Sequence, residues 1–165
     1  MSETSRWALP LLDAGQAQKE MTHNEALAAL DLLVQASVVA VGVNAPPASP
    51  VAGQCWAVGA SPTGAWAGQA RALAGWTAGG WRFLPPIAGM TVWSAADGCP
   101  ATYVDGAWRV GVSSATELRV NGTKVVGGRE PAIAEPTGGT SPDTEARAAL
   151  HSILLALRNH GLIAT

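Results

Sequence analysis

Hydrophobic positions recur at helical spacing along residues 14–38, AGQAQKEMTHNEALAALDLLVQASV. This segment has no Pro and consists mainly of Ala, Leu, Gln, Glu and Lys, which favour helix. We therefore predict a helix whose second half is apolar on two opposite faces and must be covered on both, by its own domain or by another subunit. One face carries Leu27, Leu30, Leu33 and Val34, and the other carries Met21, Ala28 and Leu32.

Three polar residues of this helix have competing interpretations. Thr22 and Glu25 match a capping box, which would start the helix as late as Thr22. Asn24 and Glu25 raise the question of a catalytic or metal-binding pair. Neighbouring residues of a helix point about 100° apart and do not converge on one ligand. We therefore interpret the pair as a helix cap or a buried polar contact.

Residues 141–163 carry the clearest helical signal of the chain. Ser141 fits an N-cap, Pro142 fits the first helical position, and acidic residues follow where the positive helix end favours them. Gly161 fits the C-cap. The sequence therefore predicts a well-delimited C-terminal helix.

One side of this C-terminal helix forms a short coiled-coil-like seam. An isolated helix of this length is marginal in water, so it must fold back on the chain or pair with copies of itself. We favour self-association, and Leu155 on the opposite side indicates a second contact surface. The seam consists of Ala146, Leu150, Ile153, Leu154 and Leu157.

Between the two helices, residues 51–112 contain short runs rich in Trp, Val and Thr, separated by Gly-containing turns, and this is typical of antiparallel strands. The dipeptide Asp105-Gly106 favours a two-residue hairpin turn, because both positions tolerate positive φ. Residues 64–81 fit neither a long helix nor a regular strand, and we interpret them as a compact loop or a small bulged sheet. The predicted strands are 53–58, 81–84, 90–94, 102–105 and 107–112.

A second hairpin is predicted around Asn121-Gly122, which lies between two β-prone runs. The fold class is therefore α+β: an N-terminal helix, a Trp-rich antiparallel β module with hairpins, and a C-terminal coiled-coil-like helix. The predicted segments are 1–43 (helical), 44–115 (β module, entered through a turn-rich connector at 44–53), 116–140 (hairpin and linker) and 141–165 (oligomerisation helix).

Charge is scarce along the 165 residues. Charged residues make up 13% of the chain, against about 25% in typical soluble domains. The 10 basic and 12 acidic residues provide no basic excess, so we expect no nucleic-acid binding. No apolar run reaches about 20 residues and the N-terminus lacks a basic start, so we expect no membrane insertion and no signal peptide. So little charge suggests a surface largely covered by other chains.

The sequence lacks a recognisable catalytic or metal-binding arrangement. Cys55 and Cys99 have no ligand spacing and are interpreted as small buried hydrophobes, with a disulfide left open. The three histidines, His23, His151 and His160, form no motif with them. A polysaccharide depolymerase would need paired carboxylates, and the β module offers Asp97 and Asp105 alone. We therefore expect no enzyme, no catalytic residues, no cofactor and no metal.

Tryptophan supplies 7 of the 9 aromatic residues, and two interpretations are open. An exposed indole stacks on sugar rings, so Trp66 and Trp76, with Gln69 and Arg71 as hydrogen-bonding partners, are candidate glycan-binding residues. Alternatively, Trp fills the core of a module that has few Leu or Ile. The core interpretation is favoured for Trp56, Trp81, Trp93 and Trp108, and Trp7 is interpreted as an N-terminal anchor.

Several blocks resemble the domain-of-unknown-function family 2793, which occurs in alphaproteobacterial prophages and gene transfer agents. They are LPLLDAGQAQKEMTHNEALAALDLLVQASV, GQCWAVG, TGAWAGQARALAGWTAGGWRFLPPIAGMTVW and DGAWRVG, within residues 7–111, and AGQAQKxxTHNEAL is the most specific of them. The tail, residues 121–163, resembles the C-terminal ends of fibre-like and spike-like proteins of the same particles. Family members often continue further after the first domain, so the shorter remainder here favours a short spike or an adhesin carrier.

The resemblance implies a structural virion protein on the surface of a phage-like particle, made in the bacterial cytoplasm. It would be a head spike or tail-fibre part that contributes to adsorption on host capsule or envelope polysaccharide. The implied partners are copies of itself, with a trimer as the default and a pentamer open for a capsid vertex, and other virion proteins. The alternative is a structural adaptor that carries a separate adhesin and has no ligand of its own.

Overall fold

The computed structural model describes residues 2–13, 15, 19–140 and 143–164. It consists of two compact units, Met1–Val112 and Ser113–Thr165. The first unit contains α1 (Lys19–Leu33), the strands β1 (Ser37–Val38), β2 (Val41–Val43) and β3 (Cys55–Val58), a 3-10 helix (Gly64–Trp66), and the strands β4 (Leu73–Thr77), β5 (Gly80–Leu84), β6 (Thr91–Ser94), β7 (Cys99–Val104) and β8 (Ala107–Val110). The second contains β9 (Leu118–Val120), β10 (Thr123–Val126) and α2 (Thr144–Asn159).

Two four-stranded sheets build the first unit. The β1 sheet has the order β1-β6-β7-β8, and the β2 sheet has the order β2-β3-β4-β5. Each sheet is antiparallel except where its first strand joins in parallel. A core common to α1 and both sheets is formed by Leu32, Ala36, Val38, Cys55, Leu73, Val92 and Ala101.

Helix α1 approaches the β2 sheet closely at one point. A Cβ added to Gly75 of β4 would lie 2.4 Å from Cδ1 of Leu32, so the absent side chain makes room for the helix. Of the predicted face with Met21, Ala28 and Leu32, Leu32 is buried here and Ala28 is half-buried, whereas Met21 is 65% exposed, so this face is covered only at its C-terminal end. The face that carries Leu30, Leu33 and Val34 is exposed in the single chain.

The structure confirms the α+β class and corrects the extent of several elements. The predicted helix 14–38 ends at Leu33, and Ser37–Val38 form a strand instead. Residues 14 and 16–18 lie outside the described part. Thr22 lies inside the helix, so the capping-box start is wrong. Within 64–81 the structure has a regular strand, Leu73–Thr77, that the Gly-rich composition concealed.

Both predicted hairpin turns are present. Asp105 and Gly106 have φ of 50° and 71°, and they join β7 to β8. Asn121 and Gly122 have φ of 49° and 78°, and they join β9 to β10. Positive φ at both central positions gives a turn whose twist matches that of the strands.

Helix α2 is capped at both ends. The predicted cap residues Ser141 and Pro142 lie outside the described residues, and the side chain of Asp143 accepts the bond from the Ala146 amide instead. At the other end Gly161 has φ of 72°, and the amides of Gly161 and Leu162 donate to the carbonyls of Arg158 and Leu157. This pair of bonds is a Schellman motif.

Candidate functional site

Five aromatic rings cover one face of the β2 sheet. Trp56 of β3, Trp76 of β4, and Trp81 and Phe83 of β5 lie together, because alternate residues of a strand share a face. Trp66 from the 3-10 helix closes over them, with its ring 5.2 Å from that of Trp81 and 6.0 Å from that of Trp56. The cluster is thus a second core, separate from the one under α1.

This arrangement corrects the prediction for Trp66. Its side chain is 0% exposed, so its ring offers no platform to a sugar. Trp76 is half-buried, and its ring meets the edge of Trp81 at 4.9 Å. The core interpretation fits the burial of Trp56, and Trp81 and Trp108 are half-buried against the two cores.

The two polar partners predicted beside these rings are also part of the fold. Arg71 donates from its guanidinium to the carbonyl of Gly106, and its own carbonyl accepts the indole N–H of Trp108 at 2.8 Å. Gln69 is half-buried, and its amide and carbonyl belong to the turn that follows Trp66. The four predicted glycan-binding residues therefore do not form one exposed surface.

Trp93 differs most from its prediction. It was expected in the core, yet its side chain is 49% exposed. Thr91 and Trp93 share the outer face of β6, while Val92 and Ser94 are buried on the inner face. A shallow groove of about 250 Å³ lies beside the ring, lined by Gln35, Ala36, Thr91, Val92, Trp93 and Pro100.

An N-terminal clasp, formed by Thr4, Arg6 and Asp31, holds residues 2–13 against α1. The buried carboxylate of Asp31 accepts hydrogen bonds from Thr4 Oγ1 at 2.7 Å, the Arg6 amide at 3.0 Å and the Trp7 amide at 2.7 Å. The guanidinium of Arg6 donates to the carbonyls of Asp31, Leu32, Val34 and Gln35 at the end of α1. The last carbonyls of a helix have no partner within it, so the Arg6 side chain caps the C-terminal end of α1.

The pair Asn24 and Glu25 has a structural use, as the sequence indicated, but at the surface rather than as a cap. The Asn24 side chain accepts from the Leu12 amide at 2.9 Å and donates to the Leu12 carbonyl at 3.0 Å. Glu25 forms two bonds of 2.7 Å to the guanidinium of Arg82 on β5. This hydrogen bonding lowers the pKa of Glu25 and raises that of Arg82.

A cavity of about 180 Å³ lies between the N-terminal clasp, α1 and the β4–β5 turn. Its lining includes the polar side chains of Asn24, Glu25, Asp31 and Arg82. Each is already bonded to another group of the fold. The cavity therefore offers little free hydrogen-bonding capacity to a ligand.

Both cysteines are free thiols. Cys55 is buried, and burial raises its pKa to about 11, which leaves it neutral and unreactive at ordinary pH. Cys99 is half-buried. No cluster of three or more His, Cys, Asp or Glu side chains suited to a metal ion occurs among residues 2–13, 15, 19–140 and 143–164.

The first unit has an exposed apolar surface, which we call the α1 patch. It combines Leu30 and Leu33 of α1 and the following Val34 with Ile87, which is 73% exposed. A groove of about 510 Å³ runs between Leu33 and the segment from Leu84 to Thr91. The indole N–H of Trp7 donates to the Val34 carbonyl at 3.1 Å, so Trp7 anchors the N-terminal segment at one edge of the patch.

In the second unit, the predicted Pro/Gly linker lies along α2 as a strap. Glu135 contacts His151 at 3.1 Å and Arg158 at 2.8 Å, and Arg147 donates to the carbonyls of Pro136 and Gly138. These bonds lower the pKa of Glu135, with the largest effect from Arg158. The strap occupies the helix face of Arg147, His151 and Arg158.

The residues of the predicted seam differ in burial. Leu154 is 7% exposed and is buried within its own chain, so it does not belong to a free seam. Leu157 is half-buried. The part of the seam that stays exposed consists of Ala146, Leu150 and Ile153, and Leu155 is exposed on another face. We call these first three residues the α2 stripe.

Sequence reasoning missed the clasp of Arg6 with Asp31. The two residues are 25 positions apart, and their chemistry depends on the chain returning over α1. A buried Asp on an apolar helix is the one signal that was present, because an ionised group is buried only when it is paired or hydrogen-bonded. The exposure of Trp93 had no local signal, since alternation in a four-residue strand fits either face.

None of the helices within the described residues is long and apolar enough to cross a bilayer. No curated protein shows significant similarity to the chain. The sequence profile of a family described as "Protein of unknown function (DUF2793)" matches residues 23–109, which include most of α1, the strands β1 to β7 and most of β8. Because this match covers more than half of the chain, the protein belongs to the DUF2793 family.

Proposed function

We propose that this chain is a homo-oligomeric structural component of a phage or gene-transfer-agent particle. It would form a head spike or a tail-fibre part and contribute to adsorption on host-surface polysaccharide. The observation that supports an assembled form best is that both units carry exposed apolar side chains on a helix, the α2 stripe and the α1 patch. Contiguous apolar surface of this kind marks interaction sites in soluble proteins.

The α2 stripe is suited to pairing with copies of itself. Leu150 and Ile153 stand one turn apart on the helix, with Ala146 one turn before them, which is the spacing of a coiled-coil seam. The strap occupies the adjacent helix face, so a partner helix would lie on the stripe and meet the strap at its side. Closed cyclic symmetry is the usual result of such pairing, and a trimer is the default for a fibre.

The α1 patch is the second proposed contact. Leu30, Leu33 and Val34 present no hydrogen-bonding side-chain atom, and the patch continues into the groove beside Ile87. A surface of this composition suits another protein, either a copy of the chain or a neighbouring virion protein. The scarcity of charge over the whole chain agrees with a surface that is covered in the assembly.

The particle context comes from the residues that resemble the prophage and gene-transfer-agent proteins. The protein would be located on the surface of such a particle. Adsorption would depend on several weak contacts multiplied by the symmetry of the oligomer. The chain itself would carry no catalysis and need no cofactor.

The alternative, an adaptor that carries a separate adhesin, is favoured by one observation. Trp66 is fully buried and Arg71 is bound to Gly106, so the glycan surface expected from the sequence is not assembled at those residues. An adaptor would use the α1 patch and the α2 stripe for assembly and would have no saccharide contact.

Light scattering of the full-length chain tests the oligomer. Ile153→Glu places a charge in the α2 stripe, and we expect it to reduce the molar mass to that of a smaller assembly or a monomer. Ser152→Glu is the matched control on the same helix and should leave the mass unchanged. A wild-type protein that is monomeric at micromolar concentration would contradict the proposal.

The particle context needs a second experiment. Particles purified from the bacterium that encodes the chain should contain it in symmetric copy number, as measured by mass spectrometry. Deleting its coding sequence should leave particles that bind encapsulated host cells less well. Particles that lack the protein in the wild type would overturn the virion assignment, and unchanged adsorption would favour the adaptor.

A further inference from the structure

The outer face of the β1 sheet carries one row of residues across three strands. Ser37 of β1 lies opposite Trp93 of β6, and Trp93 lies opposite Pro100 of β7. Directly paired residues share a face, so these side chains lie side by side. The exposed indole of Trp93 is thus at the centre of a row with a small hydroxyl residue on one side and the ring of Pro100 on the other.

A second row on the same face is polar. Thr91 lies opposite Thr102, and Thr102 lies opposite Arg109 of the edge strand β8. The hydroxyl oxygens of Thr91 and Thr102 are 3.0 Å apart, and Thr91 Oγ1 also donates to the Gly89 carbonyl at 3.3 Å. Each hydroxyl oxygen therefore keeps capacity to accept a further hydrogen bond. Arg109 is exposed, and none of the residues that the structure describes forms an ion pair with it.

The third component of this surface is Gln35. The chain turns there between α1 and β1, with a φ of 45°, and Gln35 lines the shallow groove beside Trp93 together with Thr91 and Pro100. Its carbonyl is held by the guanidinium of Arg6 at 3.0 Å. The fold thus places an exposed Gln beside an exposed aromatic ring.

We propose that this Trp93 face binds an acidic saccharide, with the sugar ring stacked on Trp93 and a carboxylate paired with Arg109. The inference rests on the proposed function and deepens it by naming the site and the ligand class. The C–H face of a sugar ring packs on an aromatic face, and its hydroxyls need neutral donors and acceptors, which Gln35, Ser37, Thr91 and Thr102 supply.

Charge supports the choice of an acidic ligand. A guanidinium pairs with carboxylates through paired N–H donors. Asp97 lies in the β6–β7 turn beyond the Ser94–Cys99 pair, whereas Arg109 is level with the Thr91–Thr102 pair at the other end of these strands, so the two charges are well separated. With about 4.8 Å between strands and about 3.4 Å per residue, the Cα atoms of Trp93 and Arg109 are about 12 Å apart, which requires a short oligosaccharide rather than one ring.

The Trp93 face and the α1 patch differ in the side chains that they expose. A protein partner is favoured where apolar side chains predominate, as in the groove at Leu33 and Ile87, in which Thr91 is the one polar side chain of the lining. Around Trp93, polar side chains frame the single ring on two sides. A flat, open aromatic surface with such a frame suits an extended chain of hydroxylated rings.

Fluorine NMR of the full-length protein labelled with 5-fluorotryptophan tests the inference. Single Trp→Phe variants assign the signals, and the probes are tetragalacturonate and tetramannuronate, with neutral isomaltotetraose for comparison. We expect the Trp93 signal to shift saturably with at least one acidic probe, and to shift less with the neutral one. Added salt should weaken binding of the acidic probe.

Two variants test the proposed roles of Trp93 and Arg109. Isothermal titration calorimetry measures their affinities, because Trp93→Ala has no Trp93 signal. Trp93→Ala should weaken acidic binding at least tenfold, and Arg109→Gln should weaken it severalfold and reduce the difference from isomaltotetraose. Trp7→Ala, which removes another exposed indole, is the matched control and should bind as the wild type does. A circular dichroism melt checks that each variant folds.

Two results would overturn the inference. One is a Trp93 signal that none of the three probes moves, or a Trp93→Ala variant that binds within twofold of the wild type. The other is a Trp93 signal that already reports a buried ring in the wild-type oligomer and an exposed ring in Ile153→Glu, because a second copy would then cover the face. Light scattering of the same samples reports the oligomer separately, so the site can fail while the assembly stands.

Discussion

Arg6 and Asp31 form two reciprocal hydrogen bonds, each between the side chain of one residue and the main chain of the other. The carboxylate of Asp31 accepts the main-chain amide of Arg6 at 3.0 Å, and the guanidinium of Arg6 donates to the main-chain carbonyl of Asp31 at 2.6 Å. The first bond fixes the N-terminal turn on α1, and the second satisfies the end of α1. One pair of residues therefore orders both the N-terminal segment and the helix that it covers.

Replacement of Asp31 tests this clasp. Asp31→Ala removes the acceptor of three hydrogen bonds from a buried position. Bonds to an ionised group contribute about 1.5–3 kcal/mol each and are not additive, so we expect the free energy of unfolding to fall by about 2–4 kcal/mol. Urea denaturation measures it. Asp13→Ala, at an exposed position, should change it little, and equal stability of both variants would contradict the role of Asp31.

Gly75→Ala tests the contact between α1 and the β2 sheet. The new methyl group would lie 2.4 Å from Cδ1 of Leu32, so the helix must shift or Leu32 must change rotamer. Overpacking of this kind costs about 1–3 kcal/mol. Gly128→Ala, which meets no atom within 4 Å, is the control. In a double-mutant cycle with Leu32→Ala, we expect the losses of unfolding free energy to be non-additive. Additive losses would show that the new methyl group does not clash with Leu32.

The Glu25–Arg82 ion pair should contribute a small, pH-dependent amount to the free energy of unfolding. Both side chains are partly exposed, so Glu25→Gln should cost less than about 1 kcal/mol at pH 7. The folded-state pKa of Glu25 is lowered, so the stabilisation is present above the unfolded pKa and is lost as the pH falls through the folded one. Urea midpoints of variant and wild type should differ at pH 7 and converge as the pH falls through the lowered folded-state pKa of Glu25. If the difference between the two urea midpoints grew as the pH fell, the folded-state pKa of Glu25 would not be lowered, and the stabilising role of this ion pair would be refuted.

The two thiols should differ in reactivity. Cys55 is buried with a pKa of about 11, whereas Cys99 is half-buried with its Sγ near Gly111. In native protein at pH 7.5, a thiol reagent should label Cys99 first and Cys55 only on the timescale of unfolding. Mass spectrometry after trypsin digestion reads this out. Rapid labelling of Cys55 in a folded Cys99→Ser variant would show that the core under α1 opens easily.

Local chemistry was enough to predict part of this protein. Asp105-Gly106 and Asn121-Gly122 determine their hairpins, because positive φ at two adjacent positions is a property of those residues themselves. Gly161 likewise determines the end of α2. The family match covers residues 23–109 and so includes most of the blocks that resemble the family in the sequence, but it leaves residues 9–22 outside and assigns no function.

Tertiary structure decided which side chains are available for binding. The sequence made Trp66 a candidate for glycan binding and favoured the core for Trp93, yet the ring of Trp66 is buried against Trp56 and Trp81 and that of Trp93 lies on an outer sheet face. Leu154 is buried and Leu150 is exposed, although both fit the same helical seam. Turn geometry arises from neighbouring residues, whereas burial depends on which distant segments pack together, so the sequence pattern predicted the elements and the fold selected the surfaces.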